Sequence, residues 1–203
     1  MHDADHLSAA ELAALQDRDF LPMKHRIGEK LDRLLLDLRD EIGMTLASAT
    51  DKLPAVVRTT PGKLARGENY KHYAYRLLDM PRVFAGEDML AFRSLVLWGH
   101  EVGFHLMLAG SYLQRYGSAL MAQRQAFAPG AWLAAHETPW VWERTVPGYL
   151  SLDQVSAETV STICAQHSYL KISYFLPLDM LHETPRTGRA IWAQWQQLLE
   201  QTS

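Results

Sequence analysis

The sequence predicts an α+β domain: an antiparallel sheet of about three or more strands, roughly 72–109, packed against a long N-terminal amphipathic helix and C-terminal helices. Three observations carry that expectation. A stripe of apolar residues at helical spacing runs from Ile27 to Leu46. Apolar runs separated by short turn signals follow between 72 and 109. Helical patterns return after Gly110 and close the sequence.

The 203 residues fit a single domain, 1–203, with 1–7 expected to be disordered. Hydrophobic residues make up 48% and charged residues 21%, a balance that excludes wholesale disorder. The net charge of −3 provides no bulk basic field for nucleic acid or for an anionic membrane, and neither is expected as a partner. The single cysteine, Cys164, excludes an intrachain disulfide and any site built on several cysteines. The opening MHDADHLSAAEL lacks the basic and apolar regions of a signal peptide, so the expected location is cytoplasmic.

Taken in order, Ser8-Ala9-Ala10-Glu11 matches a capping box and predicts a short helix to about Phe20. Residues 24–48 form the clearest helix. Ile27, Leu31, Leu34, Leu35, Leu38, Ile42 and Leu46 make one stripe, and charged residues fill the rest of the surface. Pro54, Pro61, Gly62 and Gly67 predict a long loop over 51–70 with brief extended pieces. Residues 52–76 are locally basic and hold Tyr70, Tyr73 and Tyr75. That mixture can grip a single strand of nucleic acid, but the acidic total argues for tyrosines packed at a sheet edge. A strand is expected over 72–78, stopped by Pro81, with a turn at Gly86-Glu87-Asp88.

The stretch from Met89 to Gly110 is the longest strongly apolar run. Two secondary structures compete for it. A hairpin of strands 91–98 and 101–109, turning at Gly99-His100, pairs Trp98 with Glu101 and Arg93 with Leu106. A single helix capped by Asp88 and ended by Gly110 must absorb two interior glycines at roughly 1 kcal/mol each, so the hairpin is favoured. A transmembrane span conflicts with Arg93, His100, Glu101 and His105, each expensive in lipid.

Beyond Gly110, a helix is expected over 111–127 and an irregular, tryptophan-rich segment over 131–150. Ser151 or Ser156 is expected to cap a helix carrying Val160, Ile163, Cys164 and His167. Residues 172–182 read ambiguously. Thr184-Pro185 opens a terminal amphipathic helix with Ile191, Trp192, Trp195, Leu198 and Leu199 on one face.

No catalytic motif stands out, so catalytic residues stay unassigned. The run His100-Glu101-x-x-x-His105 differs from the zinc motif H-E-x-x-H by one residue. That spacing puts the histidines about 140° apart on a helix, or on opposite faces of a strand, so no metal is expected there. No cofactor is expected. Cys164 and His167, three apart on an apolar stripe, read as core. Arg93 sits in an apolar run and calls for a covered edge position, a carboxylate such as Glu101 or Asp79, or an anionic ligand.

Two functional classes follow. The preferred one is a non-catalytic binding or assembly domain, engaging a protein partner or a second copy through Trp132, Trp140 and Trp142. The other is an enzyme or small-molecule-binding protein with a pocket formed from Arg93, Trp98, His100, Glu101 and His105.

Overall fold

In the computed structural model, which describes residues 6–126 and 129–202, the chain forms six α-helices and seven strands among the described residues. Of the segment expected to be disordered, residues 1–5 lie outside the described residues. Helix α1 (Ala9–Gln16) opens with the expected capping box. Ser8 Oγ accepts from the Glu11 N–H at 3.3 Å, and Glu11 Oε2 accepts from the Ser8 N–H at 2.7 Å. Helix α2 (Phe20–Ala47) buries Leu31, Leu35, Leu38, Ile42 and Leu46. Pro22 falls in its first turn, where a missing N–H breaks no intrahelical bond.

The 51–70 stretch is more regular than its prolines and glycines suggest. It holds helix α3 (Ala55–Thr59) and an edge strand, β1 (Lys63–Tyr70). Then come β2 (Tyr73–Ala85), β3 (Asp88–Leu97), β4 (Glu101–Ala109) and helix α4 (Gly110–Ala122). Pro81 does not end β2. It occupies a register irregularity between Asp79 and Arg82, where the absent backbone donor is tolerated. The remaining elements are β5 (Trp132–Ala134), β6 (Tyr149–Ser151), α5 (Ala157–His167), β7 (Tyr169–Pro177) and α6 (Thr184–Gln201). Ser156 caps α5, accepting from the Thr159 N–H at 3.1 Å. At α6 the Thr184 hydroxyl donates backward to Leu181 O at 2.7 Å rather than capping the helix, and Glu183 takes the cap position.

The sheet order is β1-β2-β3-β4-β7-β5-β6, antiparallel throughout. The late strand β7, from the ambiguous stretch, therefore lies inside the sheet. The 89–110 run is a hairpin, with its turn one residue longer than expected. Trp98, Gly99 and His100 form the loop, the His100 N–H donates to Leu97 O at 3.1 Å, and Gly99 takes φ +74°. The register becomes Val96↔Val102, Ser94↔Phe104 and Arg93↔His105. A one-residue change exchanges faces. The expected register separates Phe92 from Phe104. The observed one buries both rings on the helix-covered face, 6.4 Å apart, with Phe92 5.7 Å from the Trp192 ring and 5.5 Å from Trp195. Burial of these large aromatics selects the register.

The sheet thus has two unlike faces. One packs Leu90, Phe92, Val102, Phe104, Leu106 and Ile172 against α2 and α6. The other carries Met89, Leu95, Leu97 and Met107 beneath Trp142. Residues 135–148, between β5 and β6, form a strap across this second face. Among the described residues no helix is long and apolar enough to cross a membrane.

Candidate functional site

The strap-covered face is where ionisable side chains meet apolar ones. Asp79 on β2 and Arg93 on β3 are register partners, and they form a two-point ion pair. Nε donates to Oδ1 and Nη2 to Oδ2, both at 2.7 Å. A half-buried guanidinium requires such a partner, and the flat fork matches a carboxylate. The strap closes over it, with the Trp142 ring 4.9 Å and the Trp140 ring 5.4 Å from Arg93 Cζ. Among the described residues Nη1 makes no hydrogen bond.

Beside this pair, β4 and β7 bring His105 opposite Ser173 and Met107 opposite Lys171. His105 Nδ1 lies 2.8 Å from Ser173 Oγ, and both residues are fully buried. Burial, with the nearby Lys171 and Arg93 charges, holds the His105 pKa well below the ordinary histidine value. Gly103, two residues earlier on the same face, leaves the space the imidazole fills, because a Cβ there would collide with Nε2 and Cε1. Lys171 is also fully buried. Its Nζ donates to Pro139 O at 2.9 Å and Val141 O at 2.6 Å, and sits 4.1 Å from the Trp142 ring centroid. Burial first, then Arg93, pushes its pKa well down, against a smaller opposing pull from Glu143. The lysine pins the strap to the sheet through two backbone carbonyls.

A third group sits at the strap's far edge. Buried Glu143 accepts from Tyr70 OH at 2.6 Å and pairs with Lys71 at 3.0 Å. Burial raises its pKa, but the Tyr70 hydrogen bond, a backbone bond and Lys71 outweigh that and keep it below the ordinary glutamate value. Burial and the same carboxylate push the Tyr70 phenol upward.

Between these groups lies a cavity of about 340 Å³. Leu77, Leu95 and Leu97 form its sheet side, Tyr70, Tyr75 and Trp142 its aromatic walls, and Arg93 its polar end. A bulge shapes its rim. Glu68 and Asn69 oppose a single β2 residue between the pairs Gly67↔Tyr75 and Tyr70↔Tyr73.

The sequence candidates separate. Arg93 and His105 are register neighbours, but His105 is sealed under Trp142 and does not line the cavity. Trp98 packs toward the helix-side core, and His100 lies in the hairpin loop against Tyr73, ring centroids 4.5 Å apart. Glu101 pairs with Arg144 at 3.2 Å. Of the three tryptophans in 131–150, Trp142 on the strap is buried, Trp132 on β5 is half-buried under Arg144, and Trp140 on the strap is 44% exposed beside exposed Phe84. Sequence reasoning missed Lys171 and Glu143, and placed Tyr70 only among edge tyrosines. The signal for Lys171 was a lone cation inside the apolar run YLKISYF. Among the described residues no three His, Cys, Asp or Glu side chains group to hold a metal ion.

His136 is buried and shifted down as well, and the fully buried His105 sets the larger pH dependence. Below its ordinary value of 6.5 the unfolded chain protonates this residue while the folded state keeps it neutral. Unfolding then takes up a proton, so stability falls as pH drops through that value. The Glu143 contribution is lost only lower, as pH falls below its ordinary 4.5 toward the depressed folded value. Denaturant melts between about pH 7.5 and 5.5 should therefore show stability decreasing, with a shallower decrease in His105→Gln. Equal slopes in the two proteins would remove His105 as the source.

The chain matches no protein-family model, no curated protein and no solved structure.

Proposed function

We propose that the chain is a non-catalytic binding domain that takes a small molecule into the cavity beside Arg93. The observation that carries this reading is the convergence of apolar walls, aromatic rings and one unused guanidinium nitrogen on a space of about 340 Å³. Small-molecule sites share that makeup, mostly apolar with few polar anchors, and run about 300–1,000 Å³. The charged and phenolic groups at its border argue against catalysis. Asp79 is engaged by Arg93, Glu143 by Tyr70 and Lys71, and the Tyr70 phenol is held protonated by burial and by the Glu143 carboxylate. The cytoplasm remains the expected location, resting on the single cysteine.

A ligand-observed NMR screen of small aromatic and aliphatic fragments tests the reading, with Gly67→Ala as the blocked form. A Cβ at Gly67 would overlap the Tyr75 ring, so this wall of the cavity must shift. Fragments should bind the parent and lose binding in the variant. Fragments that bind both proteins alike would place the site elsewhere.

A second reading has its own observation. Trp140 and Phe84 are both more than two-fifths exposed, with ring centroids 6.4 Å apart. Such a pair suits the aromatic anchor of a protein interface.

A further inference from the structure

Resting on that binding reading, we infer that the ligand is an uncharged, largely apolar molecule carrying a carbonyl or amide oxygen, which Arg93 Nη1 holds at the polar end of the cavity. Charge bookkeeping favours a neutral ligand. The charges that border the cavity are matched: Arg93 by Asp79, Lys71 by Glu143, and the lining Glu68 by Lys24 and Arg76, while Lys171, which has no carboxylate, is held by two strap carbonyls under Trp142 and does not line the cavity. A ligand carboxylate would find no unmatched cation lining the cavity and would approach the Glu68, Asp79 and Glu143 carboxylates. A ligand cation would find Glu68 already paired with Lys24 and Arg76, and Glu143 neutralised by Lys71 and bonded by Tyr70.

Neutrality of the pair does not remove its donors. Asp79 occupies Nε and Nη2, leaving the Nη1 hydrogens without an acceptor among the described residues. An uncharged oxygen can accept there without disturbing the Asp79 contact. The rest of the ligand then lies between the leucines of the sheet and the Trp142, Tyr70 and Tyr75 rings. Stacking and apolar burial supply affinity, and the oxygen sets orientation.

The test compares naphthalene-2-carboxamide, naphthalene-2-carboxylate and 2-methylnaphthalene by tryptophan fluorescence titration at neutral pH. These probes share one ring system and differ in the group offered to Arg93. The carboxamide should bind about tenfold more tightly than either of the others, the size of one hydrogen bond to a charged donor. A carboxylate preference overturns the neutral-ligand inference and leaves the binding reading standing. Equal affinity for all three also overturns it, because Arg93 is then not engaged. Binding of none overturns the binding reading itself. Truncating Arg93 alone strands a buried carboxylate, so the variant to use is Arg93→Met combined with Asp79→Met. It replaces both charges by apolar groups. Its affinities for carboxamide and methylnaphthalene should converge, and a retained carboxamide preference would assign the preference to another group.

Discussion

Trp195→Ala should cost the fold about 3–5 kcal/mol, the range for removing a buried tryptophan. Trp195 is fully buried on α6, with its ring 5.5 Å from Phe92 and 5.8 Å from Tyr174 on the sheet. It joins the terminal helix to β3 and β7 at once, so neither element can collapse inward without losing other contacts. A denaturant melt at neutral pH measures the loss. Trp140→Ala, made beside it, should shift stability by only about 0.5 kcal/mol, as for other surface changes. Similar losses in the two variants would contradict the assignment of the helix-side layer as the main core.

Asp79→Ala should be destabilising by about 3–5 kcal/mol, for a different reason. The carboxylate is buried and takes both Arg93 hydrogen bonds at 2.7 Å. Removing it leaves a half-buried guanidinium with its charge uncompensated beneath two indoles. Replacing both members, Asp79→Met with Arg93→Met, should recover much of that loss, since a matched apolar pair leaves no charge stranded. A closed thermodynamic cycle takes three melts beside the parent: Asp79→Met, Arg93→Met and the two together. A loss below about 1 kcal/mol for Asp79→Ala would mean that the pair is solvated as a surface bridge is.

Those two residues also mark how much of the molecule was legible in its sequence. The helix-side core was legible because α2 and α6 carry stripes at helical spacing: Leu31, Leu35, Leu38 and Ile42 on one, Ile191, Trp192, Trp195 and Leu199 on the other. The hairpin was legible too, from its glycine turn and apolar runs. Its register was not, because Arg93 and Phe92 can exchange faces without changing the local pattern. Only the aromatic layer of the opposing helices decides between them. Strands β1 and β7 escaped for opposite reasons. The first is an edge strand with half its residues exposed, interrupted by glycine. The second is buried on both faces and so shows no alternation, with Lys171 disguising it further.

The candidate site was legible in part. Arg93 in an apolar run called for a covered edge position, a carboxylate such as Glu101 or Asp79, or an anionic ligand, and the fold supplies Asp79. His100, Glu101 and His105 stood close together in sequence, but a strand and its turn scatter them. His105 goes beneath Trp142, Glu101 to Arg144, and His100 to the loop. Glu143, Tyr70 and Lys171 come from three separate parts of the chain, and only the strap over residues 135–148 brings them to one face.

The most direct test of the cavity as a binding site is the indole N–H region of the proton–nitrogen NMR spectrum, with signals assigned by single Trp→Phe replacements. Adding naphthalene-2-carboxamide should shift the Trp142 resonance most, with a smaller shift at Trp140. Trp192 and Trp195, behind the sheet, should stay in place. Movement at Trp192 or Trp195 with Trp142 unchanged would contradict the account.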